Sequence, residues 1–178
     1  MDDTPTTRML SWARNSTIYR LQRQMMTEKQ LFDAIARKAK QKFEDISAAQ
    51  IKALAEFAVK FAYDQQALND AAYAEISTRS AVRAGKSKRA IAFKLSAKGI
   101  DSNTAAQALD SANDLYAALI FARKRAFGPF RRAELDEKRQ AKELSAFARN
   151  GFSFEIGRRV FDMSQDDAEE LLYSSAVS

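Results

Sequence analysis

The sequence predicts an all-α protein, and three observations carry that prediction. Glycine and proline are scarce, at 5 and 2 residues, while Ala, Lys, Arg, Leu, Glu and Gln dominate, the residues that helix interiors tolerate best. No segment alternates apolar and polar residues with a period of two for long enough to argue a strand. Helix-start and helix-stop signals recur along the chain, spaced by about one helix each.

The elements follow in order. A first periodic stretch covers about 7–25. Thr27-Glu28-Lys29-Gln30 then forms a capping box, with Met26 and Leu31 as its hydrophobic staple, and opens a helix near 28–43. Ser47-Ala48-Ala49-Gln50 repeats the device between Ile46 and Ile51 and opens 48–64. Asn69 caps 70–84, which Gly85 stops, and Ser87 caps 88–98, which Gly99 stops. Asp101 caps 102–112. A helix over 114–127 breaks at Gly128-Pro129. One over 135–150 stops at Asn150-Gly151, and Ser153 caps 154–163. A short last helix follows Ser164.

The first nine helices fall into threes, and the second and third threes resemble each other. In "RAIAFKLSAKGIDSNTAAQAL" and "KELSAFARNGFSFEIGRRVF" a basic amphipathic helix ends at Gly, followed by a hydrophobe, a capping residue and a second short helix. Gly99 pairs with Gly151, Ile100 with Phe152, Asp101 with Ser153, Leu95 with Phe147 and Leu109 with Phe161. The first three shows the same logic through Ile35, Phe43, Ile46, Ser47 and Leu54, without the glycine. The expected architecture is a tandem three-helix repeat of roughly 45–50 residues forming an elongated, curved helical body. The expected divisions are 1–66 (N-terminal helices and a divergent first repeat), 67–113 (second repeat) and 114–178 (third repeat and tail). One ordinary helical bundle is the alternative.

Composition excludes several kinds of chemistry. Cysteine and histidine are absent, so disulfides, Cys/His zinc sites, a Cys nucleophile and a His base are all excluded. The opening "MDDTPTTRMLSWARN" lacks the apolar core of a signal peptide, and no run of 18 apolar residues is present. A cytoplasmic, non-membrane protein is therefore expected. Gly85-Lys86-Ser87 looks like the end of a phosphate-binding loop, but Ser80 stands where that loop needs its first glycine, and the preceding stretch is helical. Gly85 instead stops one helix, Lys86 sits in the turn and Ser87 caps the next. Carboxylates do not converge: Glu134, Asp136 and Glu137 lie among Arg131, Arg132, Lys138 and Arg139, the pattern of a solvated helix face, and Asp166, Asp167, Glu169 and Glu170 lack the order of a calcium loop. No catalytic constellation is visible, and an enzyme is not expected.

Charge points to a partner. The chain carries a net charge of +6. From Arg79 to Arg132 basic residues outnumber acids by about four to one, whereas acids collect at the end of the chain. The candidate docking residues are Arg83, Lys86, Lys88, Arg89, Lys94 and Lys98, with Arg123, Lys124, Arg125, Arg131 and Arg132. Phe127 and Phe130 flank the Gly-Pro break, and core plugs are expected there ahead of base-stacking platforms.

Together "LNDAAYAE", "GKSKRAIAFKLSAKGI", "FARKRAFGPFR" and "KRQAKELSAFARNGFSFEIGRRVF" resemble the RecX family, over roughly residues 15–163 and most clearly from Leu68 to Phe161. The first repeat departs from the family pattern, offering "QLFDAIARKAKQKF" in place of an arginine-rich leucine helix ending in glycine. The resemblance implies a regulator of the RecA recombinase, and so of homologous recombination, DNA repair and the SOS response. Such a protein binds RecA and the RecA filament on single-stranded DNA, lodges along its groove, and inhibits filament extension, ATPase and strand exchange. It implies no cofactor and no catalytic residues. Weak or indirect contact with single-stranded DNA is expected of a chain of this charge, and a monomer is expected because nothing looks like a sustained heptad seam. Two other functions fit the same charge pattern: a single-stranded DNA binder that competes with RecA, and a helical-repeat adaptor for another protein.

Overall fold

The computed structural model describes the backbone of residues 3–177, and among these residues all regular structure is helical. The helices are α1 (Thr7–Leu21), α2 (Glu28–Lys42), α3 (Ala48–Asp64), α4 (Asp70–Arg83), α5 (Lys88–Ala97), α6 (Ser102–Asp110), α7 (Asp114–Arg125), α8 (Glu137–Arg149), α9 (Phe154–Asp162) and α10 (Gln165–Val177). A single 3-10 turn, Gly128–Phe130, lies between α7 and α8.

The sequence signals act where they were expected. Thr27 Oγ1 accepts from the Gln30 N–H at 3.1 Å while Gln30 Oε1 accepts from the Thr27 N–H at 3.0 Å, and Ser47 and Gln50 form the same reciprocal pair. Asn69, Ser87, Asp101 and Ser153 each accept a first-turn N–H of the helix they precede. Each such cap is worth about 1 kcal/mol, because it satisfies a donor that the helix itself cannot. Gly85, Gly99 and Gly151 end α4, α5 and α8 in the left-handed region, at φ of +83°, +83° and +88°.

Four boundaries differ from the sequence expectation by two residues or more, among them that of α6, which ends at Asp110 rather than 112. α1 stops at Leu21 rather than near 25, since the chain must turn to bury Met26 and Thr27. α7 stops at Arg125, before the Gly-Pro break, because Ala126 takes a left-handed conformation and turns Phe127 into the core. α8 begins at Glu137, where Asp136 caps it by accepting from the Arg139 N–H, and Leu135 stays outside, half exposed.

The chain forms two compact units. One holds the chain up to Ala74 together with Ser96–Thr104; the other holds Glu75–Leu95 together with the chain from Ala105 onward. The boundaries thus fall inside α4, α5 and α6. In the first unit, Leu31 and Ile35 of α2 pack on Leu54, Ala55 and Ala58 of α3, with Ala13 of α1 beside them. Trp12 meets Phe43 edge to face, with centroids 5.3 Å apart. The second unit is built on aromatic rings. Phe121, Phe127, Phe147 and Phe152 lie with neighbouring centroids 5.4–6.4 Å apart, in tilted and edge-on arrangements suited to ring quadrupoles. Phe147 is fully buried, and truncating such a ring to Ala costs about 3–5 kcal/mol. Phe127 is a core plug as expected, and Phe130 packs partly buried against the same cluster.

Candidate partner-docking surface

Two joints of identical chemistry hold the helix ends in place. In the first unit the α2 cap Thr27 also donates its hydroxyl to the Lys98 carbonyl at 2.6 Å, and the Glu28 N–H donates to Asp70 Oδ1 at 3.0 Å. In the second unit the α5 cap Ser87 donates to the Asn150 carbonyl at 2.7 Å, and the Lys88 N–H donates to Asp114 Oδ1 at 2.7 Å. In each joint a capping hydroxyl ties a helix start to the carbonyl just before a helix-stopping glycine. The glycine is required by space as well as by φ: a Cβ on Gly151 would sit 2.5 Å from Ser87 Oγ, and one on Gly99 would collide with the Lys29 side chain. Ser87 is therefore a buried clamp as well as a cap, and the Gly85-Lys86-Ser87 triplet serves helix punctuation.

Around the second joint the chain gathers cations from stretches far apart in sequence. Gly85 packs against the α7 backbone, with a virtual Cβ 3.0 Å from the Phe121 nitrogen, and Lys124 Nζ donates to the Ala84 carbonyl at 2.9 Å. The α4–α5 turn carrying Arg83 and Lys86 thus lies against the end of α7 carrying Arg123, Lys124 and Arg125. The Ser87–Asn150 bond brings the Arg149 end of α8 to the same turn. Arg83, Lys86, Arg89, Lys94, Arg123, Lys124, Arg125 and Arg132 are exposed, and Lys88 is half-buried. Among the described residues none of these nine enters an ion pair; Arg125 lies over the Phe121 ring, 5.6 Å from its centroid. Unpaired cations keep their charge available to an external anion, whereas i,i+4 pairs such as Lys60–Asp64 spend theirs locally. Lys98 is half-buried and belongs to the first unit.

Arg131 stands apart from the other candidates. Its Nε and Nη2 donate to the two oxygens of Glu143 at 2.9 and 2.8 Å. Glu143 is fully buried; it also accepts from the Gly128 N–H at 2.9 Å, and Arg139 lies 3.2 Å away. Burial pushes the Glu143 carboxyl up, but the hydrogen bonds from Arg131 and Gly128 and the charges of Arg131 and Arg139 outweigh it and hold the carboxyl below its ordinary value. The Arg131 guanidinium also lies over the Phe161 ring at 4.8 Å. This cluster pins the 3-10 turn to α8, and nothing in the sequence singles out Glu143. Nor does the sequence mark two large exposed apolar side chains of the second unit, Phe93 at 79 % and Phe154 at 76 % exposure. Phe93 lies one turn beyond Arg89 and next to Lys94.

Elsewhere in the first unit Glu28, Tyr63, Asp70 and Asp101 line a cleft of about 370 Å3. The Tyr63 hydroxyl donates to Glu28 at 2.7 Å, and its pKa is pushed up to about 12 by that bond, by burial and by the charges of Glu28 and Asp70. Among the described residues no group of acids is arranged to hold a metal ion, and no helix is long and apolar enough to cross a membrane.

Comparison with known proteins places this geometry in context. A family model described as "RecX, second three-helix domain" matches residues 69–109. The chain is 67% identical over 168 residues to the regulatory protein RecX of Agrobacterium fabrum (strain C58), covering 94% of this chain and 91% of the relative. It is 33% identical over 159 residues to the regulatory protein RecX of Myxococcus xanthus (strain DK1622), covering 85% of each. The fold resembles a crystal structure of RecX from Lactobacillus salivarius with a TM-score of 0.64 at 23% identity, over 94% of this chain and 98% of that one. It also resembles a second crystal structure of regulatory protein RecX with a TM-score of 0.65 at 22% identity, over 87% of this chain and 72% of the other.

Proposed function

The chain belongs to the RecX family of regulatory proteins, and on that premise we propose that it binds RecA and RecA–single-stranded DNA filaments and inhibits filament extension, ATP hydrolysis and strand exchange. It acts as a cytoplasmic monomer, without catalysis or cofactor, in recombination, DNA repair and the SOS response. The single observation that carries the docking surface is that the α4–α5 turn with Arg83 and Lys86 lies against the end of α7 with Arg123, Lys124 and Arg125, while Lys88, Arg89 and Lys94 follow along α5, all without ion-pair partners among the described residues. Such a field draws the protein to a polyanionic or acidic partner and sets its register. Arg132 and Lys98 extend the set, and Arg131 contributes through the Glu143 clamp that holds the 3-10 turn. The division into residues through 66, a middle unit over 67–113 and a C-terminal part from 114 belongs to the same proposal, supported by the recurrence of one joint chemistry at Thr27–Lys98 and Ser87–Asn150.

A second function is favoured by one observation. Phe93 and Phe154, exposed in the same unit as the unpaired cations, are what a protein that stacks single-stranded bases directly presents. In that case the protein competes with RecA for the strand.

The test is the variant Lys86→Glu/Arg89→Glu/Lys94→Glu. All three positions are exposed, and Lys88 is left alone because it is half-buried at the joint, where a new carboxylate would face that of Asp114. Three exposed charges at about 0.5 kcal/mol each give roughly a tenfold loss of affinity for RecA filaments, with a shallower salt dependence. A folded triple variant that binds filaments like the parent eliminates the docking surface. Tight binding of the parent to bare single-stranded DNA, steeply weakened by salt, favours the competitor.

A further inference from the structure

We propose that the groove between the carboxyl-terminal halves of α1 and α3 is a docking site for an amphipathic helix of a partner protein, one that carries apolar anchors and an acidic residue in its last turn. The groove lies within the first unit and measures about 370 Å3, room for a few side chains. Ile18, Leu21, Phe61 and Ala67 line it, and Thr17 and Ala62 are fully buried at its back. The Thr17 hydroxyl donates to the Ala13 carbonyl at 2.8 Å, so it is already satisfied within α1 and does not oppose an apolar occupant. The α1 edge of the groove runs from Arg14 to Gln22, about 12 Å or about two helical turns. Two apolar anchors spaced by three or four residues on a partner helix fit that length.

The two ends of the groove differ in charge, and this selects both the partner and its direction. Among the described residues Arg14 is the sole charged residue of the lining. It is exposed, lies over the Phe61 ring at 5.5 Å, and has no ion-pair partner among the described residues. Asp64, at the end of α3, is already paired with Lys60 at 2.9 Å. A carboxylate from outside therefore complements Arg14, whose planar fork accepts it while still resting on the ring. α1 and α3 run in the same direction: the Gln50 side chain in the first turn of α3 donates to the Thr4 carbonyl ahead of α1 at 3.0 Å, and Arg14 meets Phe61 further along both helices. Both helices thus end at the side of the groove away from Arg14, where Gln22 and Gln65 are their C-caps. α3 has no basic residue in its last turn to offset the negative end of its dipole. A partner helix lying antiparallel brings its positive amino end to those two carboxyl ends and its last turn to Arg14. A purely apolar groove would accept either direction and any flanking charge; this one does not.

The groove lies in the other unit from the exposed cations of α5 and α7 and does not rest on the RecA proposal, so its test uses no RecA. The probes are fluorescently labelled, stapled three-turn helical peptides of Leu, Ala and Gln: one with Asp in the last turn, one with Lys in that place, and one with Asp in the first turn. Their binding to the full chain is read by fluorescence anisotropy. Saturable binding of the last-turn Asp peptide is expected, with the other two at least fivefold weaker. Arg14→Glu should reverse the preference between Asp and Lys in the last turn, a change that lost packing cannot produce. Ile18→Ser, at an exposed position, should weaken the last-turn Asp peptide at least fivefold. Absence of saturable binding, equal affinity for the three peptides, or a preference unchanged in Arg14→Glu overturns the site. Sedimentation of the full chain alone that shows a concentration-dependent dimer, lost in Arg14→Glu, assigns the groove to a second copy and overturns the proposal as well.

Discussion

Replacing Glu143 with Met should be among the most destabilising polar substitutions in the second unit. The carboxylate accepts three hydrogen bonds, from the Gly128 N–H and from Nε and Nη2 of Arg131, with Arg139 at 3.2 Å. Met keeps the volume and removes every acceptor. The Gly128 N–H is then buried without a partner, and Arg131, whose side chain is only 16 % exposed, can rehydrate only in part. Removing one member of a buried pair costs about 3–5 kcal/mol; partial rehydration of Arg131 places the expectation near the lower end, about 3 kcal/mol. With a urea slope of about 1–3 kcal/mol/M, the midpoint read by far-UV circular dichroism falls by about 1–3 M. The double variant Arg131→Met/Glu143→Met removes the orphaned cation and should lose less than Glu143→Met alone, a coupling of about 1–3 kcal/mol. A Glu143→Met midpoint within about 0.3 M of the parent, or strict additivity in the double variant, would refute the clamp. Such a result would return Arg131 to the exposed docking set.

The other predictions extend to pH, backbone and surface. The Glu143 carboxyl is depressed in the folded state, so its stabilisation is fully present above its ordinary value of 4.5 and is lost as pH falls through the lower folded value; Glu143→Gln should flatten the acid limb of the stability profile. Gly151→Ala forces a side chain to φ +88° and places its Cβ 2.5 Å from Ser87 Oγ, for an expected loss of about 2–4 kcal/mol that overlaps, rather than adds to, the loss in Ser87→Ala. Thr78→Val removes an unpaired buried hydroxyl and should raise stability by about 1 kcal/mol, measured by thermal unfolding. Phe93→Ala, at 79 % exposure, should leave stability within about 0.5 kcal/mol while weakening the docked complex, measured by filament co-sedimentation.

Much of the fold is legible in the sequence because its signals are local. A capping box spans four residues, and a stop glycine acts within one turn, so Thr27, Ser47, Asn69, Ser87, Asp101, Ser153 and the glycines at 85, 99 and 151 announce themselves. The joints are not local. Thr27 meets a carbonyl 71 residues away and Ser87 one 63 residues away, and nothing in either neighbourhood marks the partner. Glu143 escaped for a related reason. With Arg139 four residues earlier it reads as an ordinary surface pair, and only the fold of the Gly-Pro turn brings Arg131 and the Gly128 N–H onto it. The docking cations were legible as two charged stretches. Their convergence was not, because it depends on Gly85 letting α7 approach the α4–α5 turn. Phe93 and Phe154 sit within apolar periodicity and carry no signal that they face outward.

The most direct test of the proposed activity is RecA's DNA-dependent ATP hydrolysis on long single-stranded DNA, with this protein titrated far below the RecA concentration. Regulation at filament ends or scattered groove sites predicts strong inhibition at a small fraction of RecA, relieved in Lys86→Glu/Arg89→Glu/Lys94→Glu. Inhibition that begins only when the protein is stoichiometric with the DNA, or no inhibition at all, would contradict it.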